Sequence, residues 1–135
     1  MYLLDTNACI RILNGSSGPL VARLRRQAPT EIRISSVTRA ELLYGARRSA
    51  RVADNLRVLA AFFVPFLSLP FDDACAEQYG ALRATLSAAG RPIGPNDLLI
   101  AATALAHDLT LVTHNLREFA RVTGLKLEDW EQGAE

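Results

Sequence analysis

A chain of 135 residues, half of them apolar and about a fifth charged, has the size of one ordinary domain and the make-up of a globular protein, which excludes a disordered tract or a fibre. The formal charge of +1 announces no polyanion partner, and no apolar run approaches the roughly 18 residues of a membrane span. The opening MYLLD lacks the basic segment of a secretory signal, and Cys9 and Cys75 are too few and too far apart for a disulfide framework, so a cytoplasmic protein with buried free thiols is expected.

In chain order, YLL (2–4) reads as a buried strand, followed by a helix over 6–14 and a turn at NGSSGP. A second helix runs from Pro19 to Gln27, EIRIS (31–35) is the second strand, and Ser36 is placed to cap a third helix, VTRAELLYGARR. A fourth helix over 50–64 stops at Pro65, FLSL (66–69) is the third strand, and a long helix covers Asp72 to Ala89. After the break GRPIGP come a helix from Asn96 to His107, a fourth strand TLVT (110–113), a short helix over 115–121 and a fifth strand LKLE (125–128). Strands separated by helices imply parallel crossovers, so the expected architecture is α/β: a doubly wound parallel sheet with helices on both faces, in one domain spanning 1–135.

Three acids fall at chemically costly places. Asp5 ends the first strand, where open parallel sheets bind ligands; an acid there can also cap the next helix for about 1 kcal/mol, but Thr6 can take that role and leave Asp5 free for a metal. Glu41 shares its helix face with Val37, Thr38, Tyr44 and Gly45, a mostly apolar stripe on which a carboxylate needs a cation or an arginine partner. Asp97 lies in the first turn of its helix, favourable for the dipole, yet on the face of Ile100, Ala101 and Ala104. If the three converge, their oxygen ligands suit Mg²⁺, with Mn²⁺ as a substitute, and the chemistry implied is metal-assisted phosphoryl transfer.

Other residues are more ambiguous on sequence alone. Fourteen of the fifteen basic residues are arginine, in groups such as Arg23, Arg25, Arg26 and Arg47, Arg48, Arg51, which fits phosphate contacts and solvated helix faces equally. His107, at a helix end, reads as a cap; His114 follows the fourth strand at the sheet end of Asp5, within reach of a substrate. Trp130 in LEDWEQ reads as a packing anchor.

Together these segments resemble PIN-domain ribonucleases, and within them the VapC toxins of bacterial toxin-antitoxin pairs. LLDTNACI resembles the family's opening strand with its metal-binding Asp, SSVTRAELLYGARR its Ser-x-x-x-x-Glu-Leu-x-x-Gly helix, and GRPIGPNDLLIAATALAHDLTLVTHNLREF its third acid and fourth strand. The resemblance, which runs from residue 1 to GLKLEDW (124–130), implies a five-stranded sheet in the order 3-2-1-4-5. It assigns metal binding to Asp5 and Asp97, with Glu41 completing the catalytic cluster, and puts Asn115 where many PIN domains carry a fourth acid. Thr6, Asn7, Thr113 and Asn115 are candidates to complete the site or touch substrate, and Arg11, Arg39 and Arg91 to line the phosphate path. It also implies RNA as substrate, with the anticodon stem-loop of initiator tRNA the leading candidate. The implied partners are a second copy of the chain and a VapB antitoxin whose C-terminal tail blocks the site.

Two readings from other classes compete with the nuclease. A non-catalytic RNA-binding or protein-interaction module on the same scaffold is prompted by Asn115 and the near-neutral charge. A small phosphohydrolase of the haloacid-dehalogenase type would need a second Asp at position 7, which is Asn, and there is no Gly-rich phosphate loop after the first strand.

Overall fold

The alternation in β1 (Tyr2–Leu4) sets the architecture. Leu3 and Leu4 point to opposite faces of the sheet and both are fully buried, so both faces are covered. The computed structural model describes residues 1–132. It contains five parallel strands, β1, β2 (Ile32–Ser35), β3 (Leu67–Leu69), β4 (Thr110–Val112) and β5 (Leu127–Glu128), in the order β3-β2-β1-β4-β5. The expected α/β doubly wound sheet is therefore present.

Leu4, Ile34 and Val112 face one core, closed by α1 (Thr6–Asn14), α2 (Gly18–Arg26), α3 (Ser36–Arg47) and α4 (Val52–Phe63) through Cys9, Leu20, Leu42 and Phe63. Leu3 and Leu111 face the other, closed by α5 (Asp73–Ala88), α6 (Pro95–Ala106) and α7 (Leu116–Phe119) through Leu86, Ile100 and Phe119. Both cysteines are free and buried, as expected. Trp130 is the packing anchor its context implied: it meets Tyr2 edge-on at 5.0 Å and its indole N–H donates to Glu128 at 2.9 Å. No described helix is long and apolar enough to cross a membrane.

Element bounds match the sequence reading to within two residues at every end. The short helix closes at Phe119, and β5 begins at Leu127. Glu31 belongs to a single 3-10 turn (Pro29–Glu31) before β2. One cap is shifted: Ser35, not Ser36, is the extended residue whose side chain accepts the Thr38 amide, at 3.1 Å, because Ser36 already has helical geometry. α1 ends at Gly15, whose φ of +66° is the left-handed conformation that glycine adopts without a Cβ penalty.

The register aligns Leu4 with Ile34 on one side and with Val112 on the other. The next residues, Asp5, Ser35 and Thr113, therefore stand together at the carboxyl edge of the sheet. The strand order reverses between β1 and β4, which puts Asp5 and Thr113 beside the crevice that such a reversal opens.

Candidate active site

Asp5 is 3 % exposed. It caps α1 itself, accepting the Ala8 amide at 2.8 Å, and also accepts a hydrogen bond from the Thr113 hydroxyl, whose oxygen receives the Asn115 amide at 3.0 Å. Thr6 can hold a cap only from an extended backbone, and that geometry belongs to Asp5 (φ −76°, ψ 172°). Thr6 turns elsewhere: its hydroxyl donates to Glu41 at 2.6 Å and lies 3.1 Å from the Thr38 hydroxyl. Burial pushes the Asp5 carboxyl above its ordinary range and the charges of Glu131 and Glu41 add to it, while the two hydrogen bonds pull the other way.

Glu41 sits beside the buried stripe of α3, which is Thr38, Leu42 and Ala46. Tyr44, expected on that stripe, is 66 % exposed. The partner of Glu41 is the Thr6 hydroxyl rather than an arginine. The end of β1 and helix α3 thus deliver one carboxylate each to the same crevice, and the Thr6–Glu41 hydrogen bond ties α1 to α3 there.

Asp97 projects from the first turn of α6, and Ile100, Ala101 and Ala104 behind it are fully buried, as its apolar face required. Burial, then the charges of Glu118, Asp5 and Glu41, push its carboxyl up to about 6. In its protonated form it also donates a hydrogen bond to the Glu118 carboxyl. The raised affinity makes Asp97 the member of the pair that takes up a proton as the pH falls towards 6.

Glu118 is the fourth carboxylate, and the sequence reading missed it. Asn115 supplies no charge at that position. It donates through Nδ2 to Glu118 at 2.9 Å, and the Gly94 amide donates to the other oxygen at 2.9 Å. Burial opposes ionisation of Glu118, but the hydrogen bonds from Gly94, Asn115 and Asp97, with the charge of Arg121, hold its carboxyl below the usual range. A signal was present: Asn115 and Glu118 have the Asn-x-x-Glu spacing of a helix start, which brings both side chains to one place.

The remaining candidates separate. Asn7, Arg11, His114 and Asn115 line a pocket of about 380 Å³ together with Ile10, Asn14 and Glu131. Arg11 is ion-paired with Glu131, and His114 lies 2.9 Å from Asp129; both carboxylates are nearly buried. The amide of Glu131 also donates to Asp129 at 2.9 Å, so the C-terminal segment is fixed at the rim of the site. Arg39 is not directed along a phosphate path: its guanidinium stacks 4.1 Å from the Phe63 ring centre, against α4. Arg91 is exposed on the loop before α6.

The donor set fits a hard divalent cation. It is made of carboxylate oxygens and carries excess negative charge, which adds to burial in raising the proton affinity of Asp97. Among the described residues, however, Asp5, Glu41, Asp97 and Glu118 do not bring three oxygens within 4.8 Å of one another. That spacing suits a hard cation that keeps several of its own waters.

Residues 2–125 match the model of the PIN domain, and the chain belongs to that family. It is 41% identical over 129 residues to the tRNA(fMet)-specific endonuclease VapC of Shigella flexneri, covering 96% of this chain and 97% of that one. Among solved structures it matches DNA-bound VapBC from Salmonella typhimurium with a TM-score of 0.90 at 38% identity, covering 96% of this chain and 97% of that one. It also matches VapBC2 from Rickettsia felis bound to a DNA fragment from their promoter, with a TM-score of 0.89 at 40% identity, covering 96% and 98%. Within the PIN family the chain groups with the VapC ribonucleases.

Proposed function

We propose that this chain is the toxin of a type II toxin-antitoxin pair, a divalent-metal-dependent endoribonuclease built as a single PIN domain. One observation carries the reading: Asp5, Glu41, Asp97 and Glu118 reach the switch-point crevice from four different segments and load one another electrostatically. Without a cation such a cluster repels a phosphodiester; with Mg²⁺, or Mn²⁺ in its place, the site gains a Lewis acid that lowers the pKa of bound water and neutralises charge on the phosphate. The chain's own residues prepare the site. The Ala8 amide and Thr113 hydroxyl aim Asp5, the Thr6 hydroxyl aims Glu41, and Gly94 with Asn115 keeps Glu118 ionised. In this reading Asp5 and Asp97 bind the metal, Glu41 and Glu118 complete the cluster, and the pocket of Asn7 and Arg11 accepts the RNA next to the cut.

The substrate class we infer is a structured RNA with an unstacked loop, and the activity named for the Shigella flexneri relative makes the anticodon stem-loop of initiator tRNA the leading candidate. The partner is a VapB-type antitoxin. A groove of about 350 Å³ between α1, α3 and α4 supports this: Ile10, Leu13, Leu42 and Val58 line it, Ile10 and Val58 are 41% and 52% exposed, and Glu41 lies at its margin. A segment seated there reaches the catalytic cluster. The chain acts in the cytoplasm, as a homodimer. The non-catalytic alternative was prompted by Asn115 and the near-neutral charge, and on the first count Glu118 supplies the charge that Asn115 lacks.

Sequencing RNA 5′ ends after brief induction, with Asp5→Asn as control, tests the reading. A small set of new ends in the anticodon loop of initiator tRNA, absent in the variant, is expected. Identical profiles from the two proteins would overturn the nuclease, and ends confined to other RNAs would overturn the tRNA.

A further inference from the structure

At the far end of the α5–α6 pair from Asp97, three metal-ligating side chains of different chemistry converge. Asp72 caps α5 and Cys75 lies in its first turn, while His107 caps the C-terminus of α6. One carboxylate oxygen, the thiol sulfur and an imidazole nitrogen all lie within 4.8 Å of one another. Only one oxygen of Asp72 is committed to the cap, accepting the Cys75 amide at 3.0 Å through Oδ1. The other, Oδ2, stands 3.6 Å from His107 Nε2, which is beyond hydrogen-bond length.

His107 Nε2 is the buried side-chain polar atom that finds no partner among the described residues. A buried unsatisfied nitrogen calls for an explanation, and an ion is one of the few available. The Cys75 thiol is engaged only by weak contacts that a metal could replace, with the Asp72 carboxylate, the Thr103 hydroxyl and the Pro70 carbonyl. It is fully buried, and its hydrogen bond to the Pro70 carbonyl is long, at 3.9 Å. The other such grouping among the described residues, His114 with Asp129 and Glu131, holds no cysteine and differs in this respect. Its members are already satisfied by one another and by Arg11.

The dimensions decide which ion fits. Tetrahedral Zn²⁺ with nitrogen and oxygen ligands at about 2.0–2.1 Å places those two atoms about 3.4 Å apart, and a sulfur ligand at about 2.3 Å stands about 3.5 Å from either. The 3.6 Å gap between Asp72 and His107 is close to that edge. One thiolate, one imidazole and one carboxylate form a borderline-soft set that selects Zn²⁺ over Mg²⁺, the reverse of the oxygen-only cluster at the catalytic end.

We propose that Asp72, Cys75 and His107 form a second, structural site for Zn²⁺, with water as the fourth ligand. The ion would tie the start of α5 to the end of α6, and so brace the helix that carries Asp97 at its other end. Binding releases the thiol proton of Cys75 to solvent, and the metal-sulfur bond replaces it. This proposal does not depend on the nuclease reading.

Co²⁺ titration of the full chain in excess Mg²⁺ tests it, because cobalt reports its ligands optically. The expected result is a near-ultraviolet thiolate-to-cobalt charge-transfer band with the intense visible bands of tetrahedral cobalt, displaced by Zn²⁺. Cys75→Ala abolishes the charge-transfer band and Cys9→Ala leaves it intact. Asp72→Asn, which keeps the helix cap, and His107→Gln weaken Co²⁺ binding by more than the roughly 10- to 100-fold that loss of a merely supporting group costs. Zn²⁺ raises the melting temperature of the parent and not of His107→Gln, which keeps the proposal testable if Cys75→Ala folds poorly. Weak octahedral cobalt absorption without a charge-transfer band, or a spectrum indifferent to Cys75→Ala and His107→Gln, would overturn it.

Discussion

Lowering the pH from 7 to 5 should weaken divalent-cation binding at the carboxylate cluster by about tenfold. Asp97 titrates at about 6 because burial, and then the neighbouring Glu118, Asp5 and Glu41, disfavour its charged form. It is therefore about nine-tenths ionised at pH 7 and about one-tenth at pH 5, and a cation must displace the proton in the second case. The apparent Kd rises by the ratio of the ionised fractions, about tenfold or roughly 1.4 kcal/mol. An aspartate at its ordinary 3.8 would change by less than about a tenth over the same range. Calorimetric titration of the full chain with Mn²⁺ at both pH values, with Asp5→Asn as background, measures the ratio. A change smaller than about twofold would refute the claim that Asp97 is a raised, metal-linked acid.

Four further outcomes follow from the same geometry. Because the folded-state pKa of Asp97 lies above its unfolded value, the metal-free fold holds that proton more tightly. Its stability is full below about 4 and declines as pH rises towards about 6, so Asp97→Asn should raise the metal-free melting temperature at pH 7 and leave it unchanged at pH 4. Asp5→Asn should abolish RNA cleavage while keeping the cap of α1, whereas Asp5→Ala should lose about 1 kcal/mol more in urea unfolding; equal stabilities would remove the capping role. Glu118→Gln should move the pH midpoint of Mn²⁺ binding downwards and cut cleavage sharply, and an unmoved midpoint would separate Glu118 from Asp97. Thr6→Val frees the Glu41 carboxylate, so cleavage should fall roughly tenfold with a stability change of only about 1 kcal/mol; unaltered cleavage would make the Thr6–Glu41 bond incidental.

Much of the fold was written in local pattern. The buried run of β1, the helical spacing after Asp5, and the proline and glycine punctuation at Pro65, Pro70 and the segment 90–95 are short-range signals, so the elements and their parallel arrangement could be read directly. The same holds for Asp5, Glu41 and Asp97, each of which stood out because a charge sat where its own element buries apolar surface. Glu118 did not stand out. It lies in a four-residue helix with no apolar stripe to violate, and only its contacts with Gly94 and Asp97, more than twenty residues away, bring it into the cluster.

What the sequence determined by itself was therefore the order of elements and the three carboxylates that local hydrophobic patterning exposes as costly. Tertiary structure decided the rest, because hydrogen bonds and Coulombic interactions act through space and not along the chain. It made Asp5 rather than Thr6 the cap, paired Thr6 with Glu41, sent Arg39 onto Phe63, and raised the proton affinity of Asp97. It also gathered Asp72, Cys75 and His107 from the two ends of a helical pair into one group, a convergence that no spacing in the sequence displays.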